Sequence, residues 1–78
     1  MNVNVYPNPT TTEFKLQVFI AGKEEISVRV LDMTGRFIKQ VTAMPYQTIN
    51  IGAELKDGFY FIELLQGEKR MVKELFKL

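Results

Sequence analysis

Apolar residues recur at every second position in several short segments of this chain, and residues typical of turns separate the segments. The alternation is clearest over residues 14–20 and 26–31. Successive side chains of a β-strand point to opposite faces, so this period predicts strands with one buried face. About seven short strands with turns every 8–12 residues indicate an all-β antiparallel sandwich.

The turns between the segments predict how neighbouring strands pair. A turn follows the first segment, so we expect a hairpin between residues 14–20 and 26–31. Residues 32–35 predict a second turn, because Asp can bond its own backbone and Gly accommodates positive φ. The third strand is expected over residues 36–41, with Ile38 as its best core candidate.

The second half of the chain is also strand-like. Residues 48–51 predict a short strand, and residues 53–58 are compatible with either one helical turn or a plain loop. Both faces of residues 59–65 carry apolar side chains, which indicates a central strand or one covered on both sides. Apolar residues in segment 71–76 also fit helical spacing, but a four-residue turn before them favours a final hairpin strand.

Composition excludes several classes of function. The chain has no Cys and no His, so disulfides, thiolate zinc sites and the usual nucleophile–base pairs cannot form. Ten basic and nine acidic residues give a net charge of +1, unlike a nucleic-acid binder or a polybasic membrane patch. The longest apolar runs are far shorter than the about 20 residues of a transmembrane helix. We therefore predict a protein without enzymatic activity, cofactor or metal.

Residues 1–5 do not have the pattern of a secretory signal peptide, which needs a basic start and a longer apolar stretch. If this domain is exported, we expect its N-terminal signal to lie elsewhere.

Two segments have more than one interpretation. In Tyr6-Pro7-Asn8-Pro9 the prolines lack backbone N–H donors, so this segment must leave its sheet at an edge. The prolines also fix φ, so the segment forms a stiff entry to the domain. The tail from residue 69 interleaves basic and apolar residues. Its charges either protect a terminal strand against edge pairing or form a recognition element for a partner.

Four short motifs follow one another along the chain. They are Tyr6-Pro7-Asn8-Pro9, Asp32-Met33-Thr34-Gly35-Arg36, Gly58-Phe59-Tyr60 and Lys73-Glu74-Leu75-Phe76-Lys77. In this order they resemble the type A C-terminal sorting domain of the type IX secretion system. The resemblance covers nearly the whole chain, from about residue 4 to residue 78, although the family usually has Lys where Glu74 stands.

The resemblance implies a seven-stranded immunoglobulin-like sandwich at the C-terminus of a larger cargo protein, from which this sequence is excised. It implies a sorting signal that directs the cargo from the periplasm across the outer membrane of a Gram-negative bacterium, to the cell surface or the medium. The implied partners are an outer-membrane shuttle, the translocon and a sortase-like protease that commonly removes the domain upstream of the sandwich.

From these motifs we expect two groups of residues. The first would carry partner recognition and consists of Lys73, Leu75, Phe76 and Lys77 with the Gly35-Arg36 turn. The second would be structural and consists of Tyr6, Pro7, Asn8, Pro9, Gly58 and Tyr60. An exposed strand edge would also allow a dimer.

The alternative function is an immunoglobulin-like adhesion or carbohydrate-binding module. Such a module needs an exposed, coplanar aromatic platform on one face, for which Phe19, Phe37, Phe59 and Phe61 are the available rings.

Overall fold

Seven strands in two antiparallel sheets make up the domain, in a computed structural model that describes residues 2–19 and 22–78. One sheet has the order β1-β2-β5 and the other the order β4-β3-β6-β7. The all-β fold and the sandwich arrangement are thus confirmed. The strands are β1 Asn2–Tyr6, β2 Phe14–Phe19, β3 Ile26–Asp32, β4 Phe37–Ala43, β5 Thr48–Ile51, β6 Gly58–Gln66 and β7 Lys69–Lys77.

The core lies between the two sheets and is built from the alternating residues of each strand. Each of its larger aliphatic and aromatic side chains contributes about 1.5–3 kcal/mol by leaving water. A chain without disulfides depends on this burial for its stability. The fully buried side chains are Phe14, Leu16, Val18, Ile26, Val28, Val30, Ile62, Leu64 and Leu75.

The predicted hairpin between residues 14–20 and 26–31, which form β2 and β3, is wrong. β2 pairs with β1 and β5, whereas β3 pairs with β4 and β6 in the other sheet. The buried faces of β2 and β3 meet across the sandwich, so the chain crosses between sheets here. Residues 20 and 21, at the end of the predicted strand, lie outside the described residues.

Ile38 is not a core residue, because a register shift displaces it. Val30 pairs with Lys39 but Leu31 pairs with Phe37, so Ile38 is the extra residue of a β-bulge. Ile38 is 39% exposed. The residues of β4 that turn toward the core lie further along the strand, with Ala43 fully buried.

The second half of the chain follows its predicted strands closely. β5 has the expected bounds, and β7 is a strand rather than a helix. β6 is central, between β3 and β7. Residues 53–57 form turns rather than a helix, with the Leu55 amide donating to the Gly52 carbonyl at 3.1 Å. Residues 2–19 and 22–78 contain no helix with the length and apolarity that a membrane crossing requires.

Candidate recognition surface

The four motifs meet at one end of the sandwich. Asp32 lies opposite Tyr60, Tyr60 lies opposite Leu75, and Gly58 lies opposite Lys77. The β3–β4 turn, the loop before β6 and the end of β7 therefore share one end. The β1–β2 connection joins them there, because Thr10 forms a parallel bridge with Lys77. We call this region the motif end; it comprises residues 7–13, 33–36, 52–58 and 75–78.

The first motif runs along the edge of β7. The Asn8 side chain donates from Nδ2 to the Glu74 carbonyl at 2.7 Å and accepts from the Phe76 amide at 2.9 Å. The carboxamide offers a donor and an acceptor side by side. It therefore forms the two hydrogen bonds that one backbone residue of a neighbouring antiparallel strand would form. The Thr10 amide donates to the Phe76 carbonyl, and the Leu78 amide donates to the Thr10 carbonyl. The last part of the β7 edge is therefore covered.

Lys77 is buried, with 5% of its surface exposed. Its Nζ donates to the carbonyls of Gly52 at 2.6 Å, Ala53 at 3.4 Å and Thr12. Three carbonyl oxygens match the three protons of an ammonium group and replace its hydration. Within the described part of the chain, Lys77 forms no ion pair. This side chain ties the end of β7 to two loops.

The loop that binds Lys77 needs a glycine at position 52, because a residue with a Cβ atom does not fit there. Its φ is +91°, and a Cβ atom there would lie 2.9 Å from the ring of Phe14. The sequence shows an isolated Gly without a motif, so no sequence signal pointed to Gly52 or to its bond with Lys77.

The residues expected to recognise a partner divide into two groups in the structure. Lys73 and Phe76 are exposed, as are Gly35 and Arg36 in the β3–β4 turn. Leu75 is completely buried and belongs to the core, and Lys77 is held by its three carbonyls. In the folded domain neither of these two side chains is on the surface. The assignment of all six to recognition stays a prediction.

The Asp32 carboxylate organises the β3–β4 turn. Oδ1 accepts hydrogen bonds from the Thr34 hydroxyl at 2.6 Å and from the amides of Thr34 and Arg36, each at 2.9 Å. These bonds, above all the one from the Thr34 hydroxyl, lower the pKa of Asp32. Gly35 has a φ of +87° and donates to the Asp32 carbonyl. The turn therefore presents the exposed Arg36 in a defined position.

The third motif contributes to the core and to a loop contact. Tyr60 is 8% exposed, and its hydroxyl donates to the Lys56 carbonyl at 2.7 Å. This bond satisfies the polar end of a buried ring. Gly58 begins β6 opposite Lys77. At the start of the first motif, Tyr6 is 42% exposed, and Pro7, Asn8 and Pro9 are also exposed.

The rings that an adhesion module would need do not form a flat platform. Phe19 belongs to the other sheet from Phe37, Phe59 and Phe61. Phe59 packs edge-to-face against Phe61, with an interplanar angle of 84°, and against Phe76, with an angle of 83°. A sugar ring stacks on coplanar faces, and these pairs are nearly perpendicular.

An ion network crosses the outer face of the four-stranded sheet. Glu63 accepts from Arg70 at 2.7 Å and from Arg29 at 3.1 Å, and Arg29 also lies over the ring of Phe37. The hydrogen bond from Arg70 is the main cause that lowers the pKa of Glu63. Among the described residues, no three acidic side chains come together as metal ligands would. The network is structural in character.

The comparison with protein families decides the identity of the domain. A family model described as "Secretion system C-terminal sorting domain" matches residues 4–77. The chain belongs to this family. No curated protein matches the chain.

Membership confirms the resemblance carried by the four motifs. The sorting domain is the C-terminal signal of type IX secretion, which marks cargo for the cell surface or for release. The family supports this function over the adhesion alternative, and it is not an enzyme family. The secretion machinery of a Gram-negative bacterium is the partner that this membership implies.

Proposed function

We propose that the type IX machinery reads the motif end of this sorting domain as a folded epitope rather than as an unstructured tail. The observation that carries the proposal is the pairing of Asn8 with the backbone of Glu74 and Phe76, 66 and 68 residues away in the sequence. Because this pairing holds the first and last motifs together, the recognised shape exists only after folding.

The exposed side chains at the motif end suit a protein partner. Met33 is 69% exposed, Phe76 46% and Leu78 56%. Arg36 and Lys73 are exposed nearby on the β3–β4 turn and on β7. Apolar anchors beside cationic groups are a common composition for recognition, in which buried apolar contacts supply affinity and charges supply orientation.

The specific partners and the context of the chain belong to the same proposal. The 78 residues form a single domain at the C-terminus of a larger cargo protein. An outer-membrane shuttle binds the motif end first, the translocon passes the cargo, and a sortase-like protease cuts upstream of the sandwich. Seven strands within one continuous core support the single domain.

Charge reversals test which end of the sandwich the type IX machinery recognises. A fluorescent protein with a periplasmic signal peptide carries the domain at its C-terminus, in a bacterium with the type IX system. We expect Arg36→Glu and Lys73→Glu to reduce export of the fluorescent protein strongly. Lys23→Glu is the matched control, because it makes the same charge change in the exposed loop at the opposite end. Circular dichroism of each purified domain checks folding.

Removal of residues 73–78 is a weaker test, because it also deletes the buried Leu75 and Lys77 and so disturbs the fold. Equal export of all three folded charge variants would contradict recognition at the motif end. Retention of the unaltered fusion in the periplasm, with its domain folded, would contradict the sorting signal itself.

A further inference from the structure

Part of the β7 edge is left open by the first motif. The carbonyl of Glu74, both backbone groups of Phe76 and the amide of Leu78 bond to the Asn8–Thr10 segment. Backbone groups of an antiparallel strand alternate between its two sides, and β7 pairs with β6 without a register shift. Both backbone groups of Arg70 and Val72 therefore point to the same edge, as does the Glu74 amide. They have no partner within the described chain.

The open edge has a short and defined length. It ends at Glu74, where the Asn8 side chain begins to cover the strand, and at the turn formed by residues 67 and 68. Its middle residue is Val72, which is 41% exposed. An added strand can therefore pair with about five residues, 70–74, which we call the window. A pairing that is symmetric about this window is centred on Val72.

The side chains of this window complement themselves. In an antiparallel pair with a second copy, with Val72 facing Val72, each Arg70 lies opposite the Glu74 of the other copy. A shift in one direction places Arg70 opposite Arg70, and a shift in the other places Glu74 opposite Glu74. Opposite charges across a strand pair stabilise it and like charges destabilise it, so charge selects the first register.

We propose that two copies of this sorting domain pair through the open edges of β7, with Val72 on the two-fold axis. The two Val72 residues exchange both N–H···O bonds, and each Glu74 amide donates to the Arg70 carbonyl of the other copy. The interface is isologous, since the same surface serves both partners. It joins the two four-stranded sheets into one continuous sheet and does not depend on how the secretion machinery reads the domain.

Paired charge variants test this dimer in the 78-residue chain. Sedimentation velocity follows the mass from about 10 μM to about 1 mM, the range of weak edge pairing. Glu74→Arg or Arg70→Glu alone places like charges opposite each other at both ends of the pair. We expect each to weaken dimerisation at least about tenfold. An equimolar mixture of the two variants restores opposite charges, and we expect it to form a heterodimer where neither variant pairs alone.

Two further variants separate the interface from the fold. Glu25→Arg makes the same charge change in the exposed loop between β2 and β3, outside the strand that pairs, and should leave the dimer unchanged. Val72→Pro removes an edge amide without removing a bond to β6, so we expect a folded monomer. A chain that stays monomeric to about 1 mM overturns the proposal and leaves this edge for another protein's strand. A dimer insensitive to Glu74→Arg, or a mixture that does not associate, also overturns it.

Discussion

The substitution Lys77→Met removes the buried ammonium group and keeps the length and apolar stem of the side chain. In the native domain this group satisfies carbonyls from two loops that lie 25 and 65 residues away in the sequence. Methionine fills the same space but donates no hydrogen bond. The change therefore isolates the hydrogen bonds of Lys77 from its packing.

The size of the effect follows from the surroundings of each carbonyl. The bond to Gly52 is buried, so losing its donor costs about 1–3 kcal/mol. The carbonyls of Thr12 and Ala53 belong to exposed residues, where water replaces the ammonium at little cost. We therefore expect the free energy of unfolding to fall by about 1–3 kcal/mol, from a total of about 4–12 kcal/mol for a domain of this length.

Urea unfolding followed by circular dichroism measures this loss. With a slope of about 1 kcal/mol per molar urea for so small a domain, the midpoint should fall by about 1–3 M. Lys73→Met is the matched control, because it makes the same change at an exposed position of the same strand and should cost less than about 0.5 kcal/mol. Equal midpoints for the two variants would refute a stabilising role for the buried ammonium.

Three further perturbations follow from single contacts. Asn8→Ala removes both hydrogen bonds to the β7 backbone at an exposed site, so the free energy of unfolding in urea should fall by about 1 kcal/mol. An unchanged free energy would mean that water replaces the carboxamide. In the same assay Gly52→Ala should lower the free energy of unfolding by about 2–4 kcal/mol, because its Cβ meets the Phe14 ring. Gly35→Ala has a similar positive φ but open space around the Cβ, so it should lower this free energy by about 1–2 kcal/mol. Hydrogen bonds from arginine lower the folded-state pKa of Glu63 below its ordinary value of 4.5, so its contribution to stability is present above about pH 4.5 and disappears as the pH falls through the folded-state pKa. Glu63→Gln should therefore flatten the decline of the urea midpoint on acidification, and an unchanged pH profile would contradict this.

Strand positions were predictable because they depend on local side-chain order. β5 and β6 appear where alternation and aromatic residues predict them, and β7 is a strand as its pairing with β6 favours. The Asp32 turn also follows from residues within four positions of each other. In these cases the physical cause lies within a few residues, so the sequence shows it directly.

Strand partners were not predictable in the same way. Alternation shows that β2 has a buried face but not which sheet receives it, and no strand is predicted for the residues of β1. The bulge that turns Ile38 outward depends on how β4 aligns with β3. Register between strands is decided by contacts across the sheet, which one segment of sequence does not contain.

For this sorting domain, the sequence alone determined the β-class, the buried faces of most strands and, through four spaced motifs, the family. These properties follow from local periodicity and from short motifs. Only the tertiary structure decided that Asn8 completes the edge of β7, that Lys77 is buried on three carbonyls and that the edge at Val72 stays open. Each depends on backbone groups from distant parts of the chain, and folding alone brings those groups within hydrogen-bonding distance.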